Sequence, residues 1–248
     1  MNTTQNPHDA VKAVLDNPVL PAGDDERFAG FGVMGLPFES GHYLALRQFP
    51  TASFAPAYLS VWHRDPAGRW TFYATTPAEQ SCARYFSSAT DNDAVQCDID
   101  VEWITPWWFR VTIPGLLAWS VHMESTFASR MLTKVASRLP ELAWTNQSML
   151  GVIGRVAGMT LGAGEVRLAG AAPNGQQFMV APRQIWEVSA SRAVLGGEDF
   201  GPIGRLTEQA RLADFRPPQK GICVIGTGHF ENFDETAHIR AGDTALIG

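Results

Sequence analysis

Lysine is scarce in this 248-residue chain: Lys12, Lys134 and Lys220 stand beside sixteen arginines. Chemistry that needs a lysine amine, Schiff-base decarboxylation above all, is therefore confined to three positions. Lys12 and Lys134 fall on expected outer faces of helices, and Lys220 lies in a polar Gln-Lys-Gly turn, so that chemistry is the least favoured here. Cysteine is sparse too. Cys82, Cys97 and Cys223 are an odd set without a secretory leader, which points to reduced thiols in the cytoplasm rather than to disulfides. The opening MNTTQNPHDAVKAVLDNP holds no apolar core of signal-peptide length, and no run reaches the length that spans a bilayer. A basic surplus is absent: the net charge of −6 argues against a nucleic-acid partner. Also missing are a G-x-S-x-G elbow, a CxxC pair and a P-loop. Gly226-Thr-Gly228 follows an apolar strand, but position 231 is Glu and only twenty residues follow, too few for a nucleotide-binding βαβ unit.

Tryptophan is plentiful and clustered. Six of the eight lie between Trp62 and Trp119, in short segments that alternate in polarity. The clearest is residues 95–103. Val95, Cys97, Ile99, Val101 and Trp103 fall on one side of a pleated strand, with Gln96, Asp98, Asp100 and Glu102 on the other. Apolar content of 45% with 18% charge describes a chain with a substantial core. Further strands are expected at 42–49, 57–64, 69–75, 107–113 and 116–124, divided by Pro50, Asp65-Pro66-Ala67-Gly68, Pro106 and Pro114-Gly115. After the middle, strands are expected at 167–169, 176–180, 184–191, 208–212 and 221–228, with Pro173-Asn174-Gly175 as a turn. Helices are expected at 8–16, as a turn or two at 79–86, and then in an insertion. The fold class is mainly β: an antiparallel lipocalin-like or open barrel with a two-helix insertion between two β halves. The β halves are 28–124 and 163–230, the insertion is 125–162, and the whole forms a single compact unit.

In the insertion, Phe127, Met131, Val135 and Leu139 share one stripe of helix 126–139, with Arg130, Lys134 and Arg138 near the other side. That stripe is expected to be buried. Helix 148–161 is apolar nearly all round and carries Gly154 and Gly158, with Gly162 following at the same four-residue spacing. It is expected to pack on helix 126–139 through this glycine edge and to cover the open end of the β structure as a lid. Contact with a second copy or with a membrane surface is the alternative. Arg155, alone in that helix, needs a carboxylate, and Glu102 or Glu124 is the expected partner.

Candidate site residues come from the faces of strands. His63 lies with Leu59 and Val61; Arg64 lies opposite with Tyr58, Ser60 and Trp62. Arg47 shares a face with Tyr43, Ala45 and Phe49. An arginine on an aromatic face stacks on rings and clamps an anion, or carries its head to water. Ser120, His122 and Glu124 point one way on their strand, so His122 and Glu124 are a candidate acid/base pair. In the acidic row of Asp98, Asp100 and Glu102, a carboxyl lining a lumen would have its pKa raised. The tail from His229 to His238 mixes two His with three acids but lacks zinc spacing, so no metal and no cofactor is expected.

Two hairpins and a later pair of strands resemble a known group. Gly41-His-Tyr-Leu-Ala-Leu, Ser60-Val-Trp-His-Arg and Gly68-Arg-Trp-Thr-Phe-Tyr, then Asp100-Val-Glu-Trp and Trp108-Phe-Arg-Val-Thr-Ile-Pro-Gly, are similar to the AttH and carotenoid 1,2-hydratase group of lipocalin-like proteins. The resemblance covers the first half and carries over no catalytic residue. It implies a calycin-type barrel and a nonpolar, often terpenoid, ligand. The functional expectation is a cofactor-independent lyase or isomerase that hydrates, dehydrates or shifts a double bond in a hydrophobic small molecule. His63, Glu102, His122 and Glu124 are the candidate proton donors. Trp62, Trp70, Tyr73, Trp103, Trp119 and Arg155 are the candidate ligand contacts. The alternative is a carrier of the same ligand that does no chemistry. A pocket lined by a carboxyl or imidazole would favour catalysis, and one lined by apolar side chains would favour carriage.

Overall fold

A computed structural model describes residues 6–90 and 94–241. Helix α1 (Pro7–Asp16) starts on the Asn6 side chain, which accepts from the Asp9 amide. The strands are β1 (Glu26–Pro37), β2 (Tyr43–Ala52), β3 (Tyr58–Arg64), β4 (Trp70–Ala74), β5 (Val95–Gln96), β6 (Asp100–Thr105), β7 (Trp108–Ile113), β8 (Leu117–Glu124), β9 (Ala169–Ala171), β10 (Gln177–Leu195), β11 (Glu198–Asp199) and β12 (Ile222–Phe230). Helix α2 (Ala83–Phe86) follows β4, and α3 (Phe127–Ala136) and α4 (Gln147–Leu161) separate β8 from β9. They form one sheet in the order β5-β4-β3-β2-β1-β12-β10-β8-β7-β6, with β9 and β11 also on β10. The chain is mainly β, and the sheet curls into a half-barrel. Pairing is antiparallel except between β4 and β5.

The curl is visible in ring contacts. Phe31 of β1 lies 5.6 Å from Phe109 of β7, although β12, β10 and β8 stand between those strands in the sheet. Only a sheet folded over its own face brings them together. That inner face is filled by Val33, Leu46, Val61, Phe109, Trp119 and Val121, all fully buried. Helix α1 closes it with Ala10 and Val11. The opposite face carries a second aromatic core under α2, and further cores under α3 and α4.

Several expectations need correction. Strand β1 is not among the expected strands; it carries Gly30, Gly32 and Gly35. The glycines are there for close approach: a Cβ at Gly30 would lie 2.1 Å from the Gln48 carbonyl, and one at Gly32 would lie 2.3 Å from that of Leu46. Residues 176–191 form one strand, not two, since Pro182 sits at a register shift where no ladder N–H is needed. Residues 208–212 are not a strand. The alternation holds from Cys97 to Trp103, but Val95 is exposed beside Gln96, and Cys97–Ile99 leave the ladder between β5 and β6.

The stripe on α3 is buried only at its end, where Leu139 packs against the core. Phe127, Met131 and Val135 face outward, while Ala128, Ser129, Leu132 and Ala136 face the sheet. The smaller side chains let the helix approach closely enough for Thr133 Oγ1 to accept from the Ile185 amide at 3.0 Å. The glycine edge of α4 does not meet α3. A Cβ at Gly154 or Gly158 would lie 2.4 Å from the carbonyls of Val166 or Gly164, so the edge packs on the segment that follows the helix. Arg155 is exposed and pairs with neither Glu102 nor Glu124. Without that tie, the lid reading of α4 loses its anchor.

Candidate functional site

A cavity lined by aromatic side chains lies on the outer face of the curled sheet, not in the barrel. Its floor comes from β1, β2, β3, β10 and β12. Its roof comes from Ala157 and Leu161 of α4, Val166 and Leu168 after it, and Phe215. Rings of Phe28, Phe49, Tyr58, Trp62, Phe178 and Phe230 line it. Its volume is about 150 Å³. A mainly apolar hollow with a polar group set into it is the usual form of a small-ligand site.

Arg47 is the chemically distinctive residue of this cavity. It is 5% exposed, and its guanidinium lies 4.6 Å from the Trp62 ring centre. Its position follows from a bulge. The β1 register shifts between Val33 and Leu36, and the ladder there loses its regular pairing. Arg47 Nη1 donates to the Val33 carbonyl at 2.6 Å and to that of Leu46 at 2.9 Å; Nη2 donates to Met34 at 3.2 Å. Gly35 completes the bulge, since a Cβ there would collide with the Tyr43 hydroxyl, which instead donates to the Pro218 carbonyl at 2.8 Å. A guanidinium has five N–H groups, so one on Nη2 and the one on Nε are left over. Arg47 forms no ion pair with any described residue. Burial lowers its pKa, yet a guanidinium remains charged at neutral pH.

Its polar neighbours carry no compensating charge. The Tyr58 hydroxyl lies 3.4 Å from Cys82 Sγ. Burial raises both groups above their ordinary pKa, Tyr58 well above, so phenol and thiol stay protonated. Two other arginines border the cavity, but they are neutralised. Arg167 pairs with Glu165 and Asp214 at 2.6 Å each, and Arg216 with Glu165 at 3.3 Å. The cavity thus holds one buried unpaired cation, with the neutral Tyr58 and Cys82 groups near it and mainly apolar walls.

Of the candidates read from the sequence, Trp62 and Arg47 line this cavity, with Trp70 behind Trp62 at 6.5 Å. Tyr73, Trp103 and Trp119 belong to the filled inner face. Glu102 points to solvent beside Arg110, at 3.9 Å. His122 stacks on Trp108 at 4.7 Å, and Glu124 is exposed at the end of β8. His63 is buried on the inner side. Its Nε2 lies 3.0 Å from His42 Nδ1, and His42 Nε2 lies 3.2 Å from Glu198. Both rings stack on Phe200. Arg155 faces outward from α4. Arg64 bonds the Gly41 and Asp65 carbonyls at 3.4 Å, at the end of its hairpin. The polar tail folds on itself through His238 Nε2 and Glu231, 3.0 Å apart, and no group among the described residues is placed to hold a metal ion. Tyr58, Cys82, Phe178, Phe215 and Phe230 were not foreseen; Tyr58 shares its strand face with Trp62, which was the available signal.

A second hollow, of about 350 Å³, is bordered by Leu161, Arg205, Gln219 and Lys220. Lys220 Nζ pairs there with Glu187, which is buried and also accepts from the Thr126 hydroxyl.

No family model and no curated protein matches this chain. Two solved structures are similar in shape. One is acetoacetate decarboxylase from Legionella pneumophila, 9% identical, covering 89% of this chain and 95% of its own, with a TM-score of 0.41. The other is also an acetoacetate decarboxylase, 8% identical, covering 87% of this chain and 90% of its own, with a TM-score of 0.39. At these values neither residues nor chemistry transfer to this chain.

Proposed function

We propose that the protein binds a mainly apolar small molecule with one acidic group, the acid against Arg47 and the body among the rings. The observation that carries this reading is the unpaired charge of Arg47 inside an aromatic cavity. An uncompensated buried ion is costly, and an anion with two free N–H donors to meet offsets that cost. A cavity of about 150 Å³ accommodates a body the size of one benzene ring. Arylalkanoic acids and short branched or isoprenoid acids fit both demands. No carboxyl or imidazole among the described residues lines the cavity, and this supports binding without chemistry.

The test compares a short arylalkanoic acid with its uncharged amide by calorimetry. The acid should bind more tightly by about tenfold to a hundredfold, the worth of about 1.5–3 kcal/mol for a hydrogen bond to a charged group. Arg47→Met should abolish the preference, and Arg47→Lys should keep part of it. Equal affinity for acid and amide in the unaltered protein sinks the reading.

An enzyme of the lyase or isomerase type is the second reading, favoured by the protonated Tyr58 hydroxyl, which lines the same cavity as Arg47. In an unsaturated acid held by Arg47, double-bond migration balances on this one group: the Tyr58 hydroxyl gives its proton to one alkene carbon, and the resulting phenolate takes a proton from the carbon on the other side, which shifts the double bond and restores the hydroxyl. Incubation with unsaturated acids tests this: turnover that survives Tyr58→Phe removes Tyr58 as donor. Schiff-base decarboxylation rests on Lys220 at the second hollow, since no lysine lines the aromatic cavity. Borohydride trapping of a β-keto acid on Lys220 decides that case.

A further inference from the structure

The two helices of the insertion show the same arrangement. Each buries one side, Ala128, Leu132 and Ala136 on α3 and Leu150, Ala157 and Leu161 on α4, and leaves further long apolar side chains on the outward side. On α3 the outward arc holds Phe127, Met131 and Val135, with Phe127 73% exposed. On α4 it holds Met149, Val152, Val156 and Met159, with Met159 76% exposed. Leu142, between the helices, is 80% exposed. Both helices cover the same sheet face, over Ile185, Ala181 and Val224, so both arcs point away from it in common. Isolated exposed apolar residues are ordinary, but eight on one helical layer form a surface that calls for a partner.

Charge says what kind of partner. The same arcs carry Arg130, Lys134, Arg138 and Arg155. The one carboxylate in the insertion, Glu141, is held by Arg183 of β10 at 2.7 Å. A protein of net charge −6 thus concentrates cations around its exposed apolar surface. Two copies meeting about a two-fold axis would set these cations against each other. An anionic surface with an apolar interior answers both features, and flexible methionine side chains suit a fluid phase.

We infer that α3, α4 and the turn between them form a docking face for an anionic lipid surface. Phe127, Met131, Val152, Val156 and Met159 enter the headgroup and acyl boundary, and the four cations meet lipid phosphates. Ala157 and Leu161, on the inner side of α4, line the aromatic cavity, so docking places that cavity one helix away from the membrane. The inference does not depend on what the cavity binds.

Vesicle flotation of the full chain tests it, with phosphatidylcholine vesicles alone and with about a quarter phosphatidylglycerol. The protein should float with the anionic vesicles at least about tenfold more than with the neutral ones, and raised salt should weaken the association. Val152→Asp with Met159→Asp should abolish flotation while the melting temperature holds. Arg130→Gln with Lys134→Gln should remove the dependence on anionic lipid. Absence of flotation with either vesicle overturns the proposal. So does equal flotation with both, or a dimer in ultracentrifugation that the Asp variants dissociate.

Discussion

His63 gives the sharpest energetic prediction. It is 7% exposed on β3. Burial first, and His42 second, push its pKa down from 6.5 to about 4, against weaker upward pulls from Asp65 and Glu198. With both rings neutral, His63 Nε2–H donates to His42 Nδ1 and His42 Nε2–H donates to Glu198, which satisfies the chain. A proton added to His63 Nδ1 meets no acceptor. The folded state therefore binds fewer protons than the unfolded state between about pH 6.5 and pH 4. Stability from this group is complete above the unfolded pKa and is lost as pH falls through that window. At about pH 5.5 an unfolded His is protonated about ten to one while folded His63 is mostly neutral, a loss of about 1.4 kcal/mol relative to about pH 7.5. By about pH 4.5 the loss is about 2.5 kcal/mol. Urea unfolding of the unaltered protein and of His63→Gln, at matched pH, isolates this group from the rest. The difference in stability between the two should shrink by those amounts as pH falls. A difference that stays constant across the window refutes the reasoning, because His63 would then titrate as it does in water.

Two further predictions concern packing. Gly151→Ala meets open space within α4 and should raise stability by about 0.5–1 kcal/mol in urea unfolding, whereas Gly154→Ala should lower it, since its Cβ would press on the Val166 carbonyl. Lys220→Met strips buried Glu187 of its cation and should lower stability by about 2 kcal/mol in thermal unfolding, less than a fully buried pair because Lys220 is 44% exposed.

Faces were legible in the sequence; locations were not. The period of two put Trp62 and Tyr58 on one side of β3 and His63 on the other, and put Arg47 on the aromatic side of β2, all as observed. Which side meets a cavity depends on how the sheet curls, a long-range property that alternation does not carry. The candidate ligand contacts therefore came from both faces: Tyr73, Trp103 and Trp119 pack in the inner core, Trp62 lines the cavity, and that cavity lies under the helices. Strand β1 was hidden because its glycines serve approach by β2 and Tyr43, a demand set by neighbours far along the chain. On α3, Ala128, Ser129 and Ala136 won the sheet-facing side over Phe127 and Met131 because closeness to β10 mattered more than hydrophobicity. The same choice left the apolar arc exposed.

The central claim is that Arg47 is an anion site within an apolar cavity, and a crystal structure with a bound arylalkanoic acid tests it most directly. The account predicts the ring between Trp62 and Phe178, with a carboxylate oxygen at about 2.7–2.9 Å from the Nη2 or Nε of Arg47, the usual length of a charge-assisted bond. An acid group turned to solvent, or seated on Arg216 or beside Lys220 with Arg47 untouched, contradicts it.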